Sequence, residues 1–153
     1  MKLAEALQER ADLNVKIEQL GQRLYDNAQT QEGETPAEDP KALLRELDGA
    51  IDRLAYLMEA VNRTNCAVTD ANGQSLTALI AKRDALKKKA DAYRSLIRAA
   101  SNVYQRVRGS EIRLLPAVDV PALQKQADAI SKEIRTTDNA LQALNWTVDL
   151  IED

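Results

Sequence analysis

Apolar residues recur along this chain at alternating three- and four-residue steps in four separate blocks, which is the period of a helix and not of a strand. The first block runs Leu3, Ala6, Arg10, Leu13, Ile17, Leu20, Leu24, and only Arg10 interrupts it. The second runs Leu44, Leu47, Ile51, Leu54, Met58, Val61 and reaches Asn65. The third runs Leu76, Leu79, Arg83, Leu86, Ala90, Tyr93, Ile97, Ala100, Tyr104, again with one arginine. The fourth runs Leu123, Ala127, Ile130, Ile134, Thr137, Leu141, Leu144, Val148, Ile151. Steps averaging about 3.5 residues over several heptads predict helices that pack nearly parallel or antiparallel with a left-handed supercoil.

The predicted fold is all-α. It has helices over about 2–27, 40–65, 76–107 and 120–151, arranged within one domain as an antiparallel bundle or as extended coiled-coil hairpins. Turn chemistry sets the boundaries. Asp39 is placed to cap the second helix with Pro40 at its permissive first position, Ser75 to cap the third behind the Asn72-Gly73 turn, and Asp119 to open the fourth ahead of Pro121. The stretch from Gly109 to Asp119 is too apolar for a free loop and holds Pro116, so a short extended segment near 110–116, packed on its neighbours, is expected. The first connector, 28–40, carries Glu32, Glu34, Glu38 and Asp39 without the alternating carboxylates and glycine of a calcium loop, and reads as a flexible connector.

Composition narrows the function classes. There is no Phe and one Trp, so the core must be aliphatic, which suits close helix-on-helix packing. No histidine is present, which removes the usual general base and the commonest metal ligand. Phosphate-loop, dinucleotide-binding and nucleophile-elbow patterns are missing too, so no catalytic residue, metal or cofactor is expected. A net charge of −3 offers no overall attraction for nucleic acid or an anionic membrane. Lys87, Lys88, Lys89 and the Arg106, Arg108, Arg113 group read as solvated faces. A lone cysteine, Cys66, allows no intrachain disulfide and reads as a small packed residue. Glu5 interrupts the opening "MKLAEALQERADL" where a secretion signal needs an apolar run, so a cytoplasmic protein is expected.

The polar interruptions are the candidate chemistry. If the connections are simple turns, Arg10 comes level with Leu57 and Met58, Met58 with Arg83, and Arg83 with Ala143 and Leu144, which puts both arginines in one layer. Asn62, Asn65, Asp84, Asn145 and Trp146 then lie within about two turns of that layer. A guanidinium in an apolar seam needs anionic partners, and Glu9, Glu59 and Asp84 are the nearest. Three readings stay open. The layer is a salt-bridge and amide network that fixes register or a subunit contact, a site where Arg10 and Arg83 clamp a small anionic ligand, or a pair of arginines that bury only their stems. Asn62 and Thr64 also suit helix-end capping. Trp146, Tyr93 and Tyr104 read as core or interface anchors. Asn62-Arg63-Thr64 and Asn145-Trp146-Thr147 match the N-glycosylation pattern by chance.

Several segments, "LAEALQERADL" (3–13), "EGETPAEDP" (32–40), "NRTN" (62–65), the Arg83-Asp84 pair, "SEI" (110–112), "VDVPALQKQ" (118–126) and "LNW" (144–146), carry a whole-length resemblance. The chain resembles the uncharacterised bacterial family often labelled septicolysin. The resemblance implies a small helical protein without an established activity, and the label itself suggests a cytolysin. Neither a basic amphipathic helix nor a long apolar segment supports that suggestion. The reading that follows is a helical binding or scaffold protein that forms homo-oligomers. A small-ligand (anion) binding protein or enzyme using the polar layer is the first alternative, and a membrane-active protein the second.

Overall fold

The computed structural model describes residues 1–102 and 114–152. It holds four helices, α1 (Leu3–Asp26), α2 (Pro40–Ala67), α3 (Leu76–Ser101) and α4 (Val120–Thr147). The fold is all-α: among the described residues extended pairing is confined to isolated bridges, one of them antiparallel between Lys2 and Asp149. No described helix is long and apolar enough to cross a membrane. The chain falls into two compact units. One is Met1–Thr69 with Ala143–Asp153, the other Asp70–Gln142.

In the first unit α1 and α2 form an antiparallel hairpin. Glu9 pairs with Arg53, Lys16 with Glu46 and Arg23 with Glu38, so numbers rise on α1 as they fall on its partner, in steps of seven along α1. The inner face is aliphatic: Leu3, Ala6, Leu20, Leu43, Ala50, Leu57, Ala60 and Val61 are all buried. The α1 stripe is the expected one. On α2 the expected stripe holds at Leu47, Leu54 and Val61 but shifts by one residue at the alternate positions: Leu43, Ala50, Leu57 and Thr64 are buried while Leu44, Ile51 and Met58 are 48%, 45% and 49% exposed. Adjacent positions on α2 carry two overlapping heptad stripes, and the one with small Ala50 is the one buried.

The connector after α1 is tied down. Arg23 donates from Nε and Nη2 to Glu38 at 3.0 and 2.5 Å. The Asn27 amide donates to the Arg23 carbonyl at 2.9 Å and its oxygen accepts from the Glu38 N–H at 2.9 Å. The loop therefore folds back on the last turn of α1 before Asp39 caps α2, its carboxylate accepting from the Lys41 N–H at 3.1 Å. This moves the register. Glu9 stands opposite Arg53, so Arg10 lies about one and a half turns from the expected level of Leu57 and Met58.

α2 runs on to Ala67, so Asn62 and Thr64 sit inside the helix and cap nothing. At the other end of the chain, α4 stops at Thr147 and not near 151. Val148 and Leu150 turn extended and sew the tail to the start of α1. Leu3 N–H donates to the Val148 carbonyl at 3.0 Å, and Leu150 N–H to that of Met1 at 2.9 Å. Val148 and Ile151 satisfy a helical period, but Val148 and Leu150 alternate like a strand, and pairing with Met1–Leu3 decides between the two.

In the second unit the Asn72-Gly73 turn forms as expected, with Gly73 at φ 78, a left-handed conformation that glycine adopts without strain. Asp70 Oδ1 accepts from the Asn72 and Gln74 N–H groups at 2.9 and 2.8 Å. The Ser75 hydroxyl then caps α3, accepting from Ala78 N–H at 3.1 Å. Asp119 caps α4 through Ala122 N–H at 3.1 Å. Near the start of α3, Lys82 and Arg83 pair with Glu133 at the middle of α4 and Asp138 beyond it. The far end of α3 (Leu96, Ala99, Ala100, Asn102) shares a hollow of about 300 Å³ with Leu114–Val118, which lead into α4, so the two helices are antiparallel. Their stripes are as expected, with Leu76, Leu79, Ala90, Ala127, Ile130, Thr137 and Leu141 buried. Of the segment expected near 110–116, residues 110–113 lie outside the described residues, as do Tyr104, the Arg106, Arg108, Arg113 group and positions 103–107 of the expected third helix. The described remainder is not packed away, Leu115 being 78% exposed.

Candidate functional site

The two seam arginines belong to different units, Arg10 to the first and Arg83 to the second. Arg83 is half-buried and neutralised by protein carboxylates: Nη2 lies 2.9 Å from Asp84 Oδ1 and Nη1 lies 3.6 Å from Asp138 Oδ1. The simple-turn register had placed it level with Ala143 and Leu144, about one and a half turns further along α4. Asp84 itself is exposed. Arg10 is half-buried, and among the described residues its guanidinium makes no ion pair. Glu9, expected as its partner, is engaged by Arg53 (Nε–Oε1 2.7 Å, Nη2–Oε2 2.9 Å), and Glu59 by Arg63 (2.6 Å). The Arg53 guanidinium holds the Glu9 carboxyl below its ordinary range against the opposing effect of burial, and the pair raises Arg53 in turn. Arg53 also lies over the Tyr56 ring, 5.3 Å from its centre.

Asn62 is exposed, and Asn65 and Asn145 are half-buried. Among the described residues none of the three makes a side-chain hydrogen bond. The polar residue that matters at this level is Thr64, fully buried. Its hydroxyl donates to the Ala60 carbonyl at 2.8 Å and accepts the Ile151 N–H at 2.9 Å. Thr64 thus fastens the chain's extended tail to α2, while Lys2 fastens it to α1, its Nζ lying 2.8 Å from Asp149 and 3.0 Å from the Thr147 carbonyl. Lys2 draws the Asp149 carboxyl below its ordinary range. The signal for Thr64 was its place seven residues after Leu57 on the second α2 stripe.

Trp146 is not a core anchor. It is 64% exposed and borders a shallow groove of about 560 Å³ whose other walls are Met1, Ala4, Glu5, Gln8, Glu9 and Asp12. All of these belong to the first unit. Two of its carboxylates keep an oxygen open. Glu5 accepts the Lys2 N–H through Oε2 at 2.7 Å, and Asp12 accepts the Gln8 amide through Oδ1 at 3.0 Å. Cys66, expected to be packed, is exposed near the end of α2. Tyr93 is half-buried with the Lys89 ammonium 5.7 Å from its ring centre. Among the described residues no group of three carboxylate or thiol side chains converges as metal ligands do.

Both the sequence and the fold have relatives. The chain belongs to a family of unknown function, DUF6847, whose model matches residues 10–150. It is also similar to a functionally unknown conserved protein from Corynebacterium diphtheriae, solved as a crystal structure. The two are 36% identical, the match covers 99% of each chain, and the TM-score is 0.89. No functionally curated protein matches it.

Proposed function

We propose that the protein is a self-associating helical binding module whose copies meet through the outer face of α2. The observation that carries this reading is the second heptad stripe on α2, in which Leu44, Ile51 and Met58 are each nearly half exposed at intervals of seven residues. A heptad stripe left facing water is the form of a helix that packs against another helix.

Its symmetry favours an antiparallel meeting of two identical copies. A two-fold axis through Ile51 sets Leu44 of one copy against Met58 of the other, because each lies seven residues from the axis. Arg45 and Glu59 flank the stripe on one side, so the same axis brings Arg45 of one copy toward Glu59 of the other. Asp52 on the same flank comes near its own copy, which weakens the contact and suits reversible association. The finer resemblance, to proteins labelled septicolysin, fits a helical binding protein and brings no assigned activity with it.

Sedimentation velocity tests the reading. The native chain is expected to sediment as a dimer at micromolar concentration, and Ile51→Lys as a monomer with undiminished helicity, since the side chain already reaches water. A native chain that stays monomeric, or an Ile51→Lys variant that keeps the native mass, overturns it.

A further inference from the structure

We infer that the groove beside Trp146 is a docking site for a basic, extended peptide segment of a partner protein, reading two cationic side chains spaced three residues apart. The site lies on α1 and the end of α4, away from the outer face of α2, and is argued from different residues.

Three observations converge. First, the indole of Trp146 is mostly in water, although tryptophan is among the side chains with most to gain from cover. An exposed indole face is the best aromatic surface for a guanidinium or ammonium. Second, the side chains lining the groove carry one sign of charge, against the single α-ammonium of Met1. Its ionisable side chains are Glu5, Glu9 and Asp12, and no basic side chain lines it. Glu9 is satisfied by Arg53, but Glu5 and Asp12 remain net negative because their partners there, the Lys2 N–H and the Gln8 amide, are uncharged. Third, those two carboxylates sit seven residues apart on α1, about 10.5 Å along its axis at 1.5 Å per residue. A chain in the polyproline II form repeats every three residues at about 3.1 Å each, so side chains i and i+3 point the same way about 9.3 Å apart. A segment of the form Arg-x-x-Arg laid along α1 therefore sets one cation at Glu5 and one at Asp12, with Met1 and Ala4 available to the stems of the arginines. The polarity is opposite to that of the anion clamp expected from Arg10 and Arg83, and it discriminates against nucleic acid and anionic lipid.

Trp146 is the only tryptophan, so its emission reports on this groove alone. The probe is the peptide acetyl-Arg-Ala-Ala-Arg-amide, titrated into the full chain at low salt, with acetyl-Glu-Ala-Ala-Glu-amide as the counterpart. The expected result is a saturable change in Trp146 emission with the basic peptide at millimolar or lower concentration, and none with the acidic one. Affinity should fall about fivefold in Asp12→Asn, as for one half-exposed charge contact, and fall again as salt rises. Glu5→Gln should weaken binding similarly. Because Glu5 also closes on the first turn of α1, Asp12→Asn, on an exposed site, is the deciding variant. No emission change with the basic peptide, an equal response to both peptides, or native affinity in Asp12→Asn overturns the inference.

Discussion

Replacing Thr64 by Val removes one hydroxyl from a fully buried position and leaves the shape almost unchanged, so it isolates the bond that holds the tail. Two hydrogen bonds are lost. The donation to Ala60 is a back-bond within the helix, and its loss costs little because that carbonyl keeps its place in the helical ladder. The Ile151 N–H, however, loses its acceptor at 2.9 Å. A backbone donor left unpaired costs about 1–3 kcal/mol when buried, and Ile151 is half-buried, so water recovers part of that. The expected net loss is about 1–2 kcal/mol. The tail should not detach outright, because Leu150 is 6% exposed and burial of a leucine side chain is worth about 1.5–3 kcal/mol. Two assays read this: denaturant unfolding for the global loss, and amide exchange by NMR for the local one. Ile151 should exchange about tenfold faster or more in Thr64→Val, while the amides of the α1–α2 interface change only with global stability. Thr64→Ser should restore Ile151 protection. A Thr64→Val variant as stable as the native chain, with Ile151 equally protected, would refute the clasp.

Acid should weaken the first unit in a defined direction. Glu9, Glu38, Glu46 and Asp149 all have folded-state pKa values held below their ordinary values, each first by a hydrogen bond from its basic partner. Depressed carboxylates contribute stability that is complete above the ordinary pKa, 4.5 for Glu and 3.8 for Asp, and that is lost as pH falls through the folded-state value. Thermal unfolding followed from pH 7 to pH 2 should show little change until about pH 4.5 and a falling midpoint below it; a midpoint flat to pH 2 contradicts the pairing. Ser75→Ala should cost about 1 kcal/mol by exposing the Ala78 N–H at the start of α3, and a variant with unchanged denaturation midpoint would remove that cap from the account.

How much of this was legible before any coordinates differs by element. The stripes on α1, α3 and α4 were readable because each offers one aliphatic row, and their caps because Asp39, Ser75 and Asp119 stand where the chain needs an acceptor. On α2 periodicity alone could not choose. Leu43 and Leu44, Ala50 and Ile51, and Leu57 and Met58 form two rows of equal period; bulk favours the row with Ile51, whereas the row with Ala50 is the one buried. By the same ambiguity Asn65 satisfies the period of the outer row while Thr64 takes the buried position. The polar layer rested on simple turns, and the connector pinned by Arg23, Asn27 and Glu38 sets another register. The groove at Trp146 was not legible as such: Trp146 was a candidate, but the carboxylates around it come from α1, far away in sequence and brought there by the clasp.

The claim on which the proposed function rests is that two copies meet across Ile51. The most direct measurement is disulfide trapping of Ile51→Cys in a Cys66→Ser background under mild oxidation, with Gln126→Cys in the same background as the exposed control. The account predicts rapid conversion of Ile51→Cys to a covalent dimer at micromolar concentration and little from the control. An Ile51→Cys chain that stays uncross-linked, or links no faster than Gln126→Cys, would contradict it.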